Sequence, residues 1–126
     1  MDIQTLKLSN NTQRILIIKN AEITPVVLNE QTLNKLKFTA EDPETHVSFE
    51  LSDVLVRSKK GIKKQGLWIS TQNNEISQHS TIGKLLAFYG YSQITDFINK
   101  SVEVLPDNNN FLLIKLFKDI DESGRF

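Results

Sequence analysis

Between His46 and Val56 the chain alternates polar with apolar residues and then changes step: Val47, Phe49 and Leu51 share one parity, whereas Val54 and Val56 take the other. Successive side chains of a strand point to opposite faces, so keeping the apolar set on one side across this slip requires an extra residue in the strand. A β-bulge near Ser52-Asp53 is therefore predicted. Bulges bend a strand and raise its twist, which is how a small sheet acquires the curvature of a barrel.

The segments around it are also extended. Arg14-Ile15-Leu16-Ile17-Ile18-Lys19 is a continuous β-branched and aliphatic run, which reads as a strand covered on both faces. It continues into Glu22-Ile23-Thr24-Pro25-Val26-Val27-Leu28, where Pro25 has no N–H for a ladder and marks an edge, a bend or a bulge. A strongly bent first strand over about 14–28 follows. Over 32–40 the pattern fits a helical turn (Leu33, Leu36) or a strand (Leu36, Phe38, Ala40), and strand is preferred from Lys35 onward. The second strand then spans 35–57, interrupted by the acidic turn Glu41-Asp42-Pro43-Glu44, and a third runs over 65–72.

After Asn73-Asn74-Glu75 the period becomes helical. Ser80 suits an N-cap, Ile82, Leu85, Leu86 and Tyr89 share one side, and Gly90 suits the end; a second short helix fits 92–99. Ser101-Val102-Glu103-Val104-Leu105 and Phe111-Leu112-Leu113-Ile114-Lys115-Leu116-Phe117 then form a hairpin about Pro106-Asp107-Asn108-Asn109-Asn110. The last strand is apolar on both faces apart from Lys115, hence either central or carrying exposed Phe111 and Phe117, and on that ground a homodimer is a candidate assembly. The predicted fold is mainly β with one or two short helices: a single barrel-like domain over 1–118 and a short acidic tail over 119–126.

At 126 residues, 39% hydrophobic and 24% charged, the chain fits one globular domain. It has no cysteine, which removes disulfides, thiolate metal sites and cysteine nucleophiles. The start Met1-Asp2-Ile3-Gln4-Thr5-Leu6-Lys7 lacks the pattern of a signal peptide, and no run approaches the ~18 apolar residues of a membrane span. The expectation is a soluble, cytoplasmic protein without cofactor or membrane partner.

The formal charge is zero, yet five of the fifteen basic residues, Arg57, Lys59, Lys60, Lys63 and Lys64, fall within eight positions. No acid lies among them, so the rest of the chain is acidic and the positive field is local. The run leads through Gly66 into the only tryptophan. In Leu67-Trp68-Ile69, Leu67 and Ile69 take the core parity and send Trp68 to the opposite face. Cations beside an outward aromatic ring are what a single-stranded nucleic acid needs, its phosphates meeting the charge and its unstacked bases the ring. Without such a ligand the same segment reads as a solvated hairpin tip, with Trp68 covered by a neighbouring element.

The order of elements, with its helix between the third and fourth strands of a five-strand set, resembles an OB-fold; another small barrel or an open sheet packed by helices also fits it. OB-fold proteins of the single-stranded DNA-binding class hold the strand across their second and third strands with aromatics and cations. The resemblance implies Arg57, Lys59, Lys60, Lys63 and Lys64 as phosphate contacts and Trp68 as a stacking platform for single-stranded DNA or RNA. Phe49 lies on the core parity of its strand and is excluded from the site. The tail over 118–126, acidic with a terminal aromatic, is similar to tails that recruit protein partners, although Arg125 interrupts its charge.

Two other function classes compete. A protein-interaction or structural subunit, viral or replication-associated, would use Trp68, Phe111 and Phe117 at an interface, but leaves the clustered lysines unexplained. An enzyme has less to stand on: His46 and His79 are far apart in sequence, and no nucleophile motif, phosphate loop or zinc spacing is present. The one arrangement with metal chemistry is Glu44, His46 and Glu50 on one strand face, with Asp42 nearby. The chain is therefore expected to be non-catalytic.

Overall fold

The computed structural model describes residues 14–69, 71–72, 75–107 and 109–117. The first strand, Arg14–Leu28 (β1), changes step once. Leu16 and Ile18 are fully buried, and the pairing with Gln31–Glu41 (β2) then skips Lys19, so that Ala21 and Ile23 come to lie opposite the buried Phe38 and Leu36. One unpaired residue bends the strand, and Ala21, at an odd position, then packs against the core where Leu16 and Ile18 did so from even ones. The 14–19 run is thus buried on one face only, with Ile15 45% exposed, which corrects the expectation of a strand covered on both sides. A run made almost wholly of Ile and Leu carries no parity from which this could be read.

β2 begins at Gln31, earlier than the sequence suggested, because Asn29 and Glu30 both take positive φ (51° and 63°) and close a two-residue hairpin turn. Leu36, Phe38 and Ala40 form its buried face. At its end, the Glu44 and Thr45 backbone N–H groups donate to the Asp42 carboxylate, at 2.8 and 3.1 Å, and hold it below the usual carboxylate range. His46, at φ 62°, belongs to this turn and not to the next strand, Ser48–Leu51 (β3).

Ser52 alone separates β3 from Asp53–Ser58 (β4), and the fully buried Leu51 and Val54 stand on opposite parities at the predicted bulge. Gly61–Gly66 (β5) returns antiparallel to β4 around a turn of only Lys59 and Lys60. Gly61, at φ 116°, supplies a conformation that side chains resist. The second strand of this hairpin thus starts at Gly61, well before the expected Gln65. The predicted 65–72 strand divides into the end of β5, an isolated bridge of Trp68 to Lys35, and the short Thr71–Gln72 (β6), which pairs with Glu75–Ile76 (β7).

Helix α1, Thr81–Tyr89, has the expected caps: Ser80 Oγ accepts the Gly83 N–H at 3.0 Å, and Gly90 is left-handed at φ 76°. The second helix is shorter than expected, a 3-10 turn over Ile94–Phe97 whose Phe97 is buried against Phe38, ring centroids 5.2 Å apart. Ser101–Pro106 (β8) and Leu112–Lys115 (β9) form the last hairpin.

Seven strands make one sheet in the order β3-β2-β1-β8-β9-β4-β5, antiparallel throughout except for the β4–β9 pair. Since β3 and β4 are successive pieces of one bent segment, the row of pairings returns to the segment from which it set out. The core lies inside this curl, where α1 contributes Ile82, Leu85 and Leu86. β9 proves central: Leu113, Ile114 and Lys115 are all buried, which removes the argument for a homodimer from an exposed last strand and leaves Phe111, at 67%, as its exposed aromatic. No helix is long and apolar enough to cross a membrane among the described residues. The tail over 119–126 lies outside the described residues.

Candidate nucleic-acid interface

The β4–β5 register distributes the five cations. Asp53↔Gly66, Leu55↔Lys64 and Arg57↔Ile62 share the outer face, while Val54↔Gln65 and Val56↔Lys63 share the inner, core-side face. Lys59 and Lys60 form the exposed tip. Ser58 fastens that tip, its Oγ accepting the Lys60 N–H at 3.2 Å and donating to the Gly61 carbonyl at 3.0 Å. The hairpin therefore holds its charge on a narrow, ordered projection, but on both sides of it.

The two sides differ electrostatically. On the outer face Lys64 Nζ lies 3.8 Å from Asp53 and 3.9 Å from Asp107, and the Arg57 guanidinium carbon sits 4.7 Å from the Phe117 ring centroid. Lys59, Lys60 and Lys63 make no ion pair with any described residue. An incoming phosphate would meet compensated charge at Lys64 and uncompensated charge at these three.

Trp68 lies between Leu67, fully buried, and Ile69, half-buried against the core, as parity required. The indole itself is half-buried. Hydrogen bonds from the Leu36 N–H to the Leu67 carbonyl and from the Ile69 N–H to the Asn34 carbonyl, 2.8 and 2.9 Å, hold this stretch beside β2. There Lys35 reaches over the ring, with Nζ 4.9 Å from the centroid and 2.6 Å from Asp53 Oδ1. A side chain at Gly66 would strike the indole, its Cβ falling 2.5 Å from Nε1. Trp68, Lys35, Asp53 and Lys64 are thus one connected cluster. Lys35 is the member that sequence reasoning missed; the polar positions of β2 alternate visibly, but nothing in the sequence sets Lys35 beside Trp68.

Two open grooves flank the hairpin. One, of about 530 Å³, takes in Phe49, Glu50, Asp53, Lys64 and the exposed Phe111. Phe49, excluded on parity, does pack against the core, yet its other side reaches this groove and the Arg14 guanidinium carbon lies 5.6 Å from its ring. The other groove, of about 540 Å³, runs between the inner face of the hairpin and α1, with Arg57, Lys63, Lys84, Ala87 and Phe88 on its walls.

The imagined metal arrangement is not assembled. Asp42 faces backbone N–H groups, His46 Nδ1 pairs with Glu41 at 2.8 Å, and no group of three or more His, Asp or Glu side chains converges as a metal site among the described residues. No family model, curated protein or solved structure matches this chain.

Proposed function

We propose that this protein binds single-stranded nucleic acid, DNA as the first ligand to test, without catalysing a reaction on it. The observation that carries the reading is the β4–β5 hairpin, whose tip and strands present Lys59, Lys60 and Lys63 without acidic partners among the described residues of an otherwise acidic chain. Lys64 and Arg57 extend the same field. Trp68 adds a half-buried indole beside this field as the aromatic partner of an unstacked base, with Lys35 over one face of the ring.

The proposed architecture is an OB-fold. Counting 48–58 as one strand and leaving β5 as an addition at its outer edge, the closed circuit contains five strands with α1 between the third and fourth, which fits a five-stranded, partly open Greek-key barrel. Lack of cysteine accords with work in a reducing, cytoplasmic setting. Because the positive field is local, the contact is confined to one region, and affinity falls with salt in proportion to the phosphates neutralised there.

A second reading, a protein-interaction subunit, draws on one observation. The outer part of the β1–β2 hairpin leaves Ile23, Val27, Leu28 and Leu33 exposed. Fluorescence anisotropy of a labelled single-stranded oligonucleotide at about 50 and 200 mM salt separates the two. Binding that weakens strongly at the higher salt is expected; no binding at the lower, or binding indifferent to salt, transfers the case to the interaction subunit.

A further inference from the structure

We infer that the groove between the inner face of the β4–β5 hairpin and α1 is a nucleotide subsite, in which Phe88 stacks a base while Lys63 and Lys84 hold the adjoining phosphates. This rests on the single-strand reading above and adds to it two residues that no motif identified. Lys84, Ala87 and Phe88 stand at i, i+3 and i+4 and so share one face of α1, opposite the buried Ile82, Leu85 and Leu86. A large aromatic on the solvent side of a helix whose other side is engaged in the core leaves part of its ring open to a ligand. Phe88 is 41% exposed, and its ring is set against Tyr89 in an edge-on contact at 5.2 Å.

Across from it stands Lys63, which the β4–β5 register turns toward this side and not toward the Lys64 side. The two grooves beside the hairpin are nearly equal in size, so charge decides between them. The groove at Phe111 has Glu50 and Asp53 on its walls against Lys64 alone. That at Phe88 has Lys63 and Lys84 and no acid on its walls, and Thr81–Tyr89 contributes none. A polyanion is drawn more strongly to the second than to the first. Ala87, between Lys84 and Phe88, leaves the floor low enough for a flat base to approach the ring.

The test is oligonucleotide binding by full-length variants, using a labelled single strand of about 16 nucleotides at two salt concentrations. Phe88→Leu, which keeps apolar bulk and removes the ring, is expected to lower affinity roughly 5- to 150-fold at both salts, the range expected for removing one base stack. Lys84→Gln should instead flatten the slope of log K against log salt by about 0.7, the share of one phosphate. Wild-type affinity and slope in both variants, while Lys59→Ala/Lys60→Ala still weakens binding, overturns the subsite and leaves the hairpin reading standing. Failure of the wild type itself to bind at low salt overturns both. Should Phe88→Leu not fold, as read from its circular dichroism melt, Lys84→Gln decides alone, since it changes only an exposed side chain.

Discussion

At Gly66 the chain passes close beneath the Trp68 indole, and the absence of a Cβ is what admits the ring. Gly66→Ala would set a methyl 2.5 Å from Nε1 and 3.2 Å from Lys35 Cε, so the indole must swing outward and the Lys35–Asp53 pair must adjust. The expected result is a red-shifted tryptophan emission and a stability loss of about 1–3 kcal/mol, the usual cost of overpacking; unchanged emission would contradict this placement of the ring. Trp68 being the only tryptophan, the signal has one source. That Leu67 faces inward was legible from parity. Half-burial of Trp68 was not, because the covering groups, Lys35 and Gly66, are brought to the ring by a register the sequence does not state.

Element boundaries depend on the same distinction between local and cross-strand information. The caps of α1 were readable because Ser80 and Gly90 act within a few residues of themselves, and the bulge at Ser52 because polar and apolar residues alternate on both sides of it. The Lys19 bulge was hidden in an aliphatic run, and the early start of β5 was hidden by lysines, poor strand formers that pairing with β4 nonetheless holds extended. In α1, Gly83 lies against the Ser77 carbonyl oxygen and the Gln78 backbone, where a Cβ would overlap both. Gly→Ala inside a helix ordinarily stabilises by ~1 kcal/mol. Here overlap with backbone outweighs propensity, and Gly83→Ala is expected to lower the melting temperature; a rise would show that the 77–80 turn does not press on the helix. Tyr89 at the end of α1 gives a pH test. Its hydroxyl accepts the Glu103 N–H at 3.4 Å, and burial pushes the phenol up to about 12. With the folded value above the unfolded value of about 10, this residue's contribution is complete below pH ~10 and is lost as the pH rises toward 12. The melting temperature of wild type should therefore fall more steeply across that window than that of Tyr89→Phe, and parallel curves would contradict the assignment.

Over the whole molecule, the pairing leaves a long edge on β1. β1 pairs with β8 only through Arg14–Ile17, so that beyond Asn20 its outer edge has no strand partner among the described residues. Pro25 stands in the middle of that edge. Because the Asn34 carbonyl is turned to Ile69, the Pro25↔Asn34 pair is a non-hydrogen-bonded one, and the missing N–H faces outward, where it obstructs pairing with another chain. Pro25→Val is expected to promote self-association, seen as an earlier elution on size exclusion at raised concentration; a profile unchanged from wild type would remove that role. A mainly β chain with a helix before its last hairpin was legible from periodicity, as was a local basic field. The division of that field was not, since alternate residues of a strand separate only once the strand is known to begin at Gly61. The central claim is that this hairpin carries single-strand binding, and the measurement that tests it most directly is the salt dependence of oligonucleotide affinity for wild type beside Lys59→Ala/Lys60→Ala/Lys63→Ala/Lys64→Ala. The predicted result is weaker binding by the variant, with a slope flatter by about 0.7 for each phosphate that the removed lysines had neutralised; equal affinities and equal slopes would contradict it.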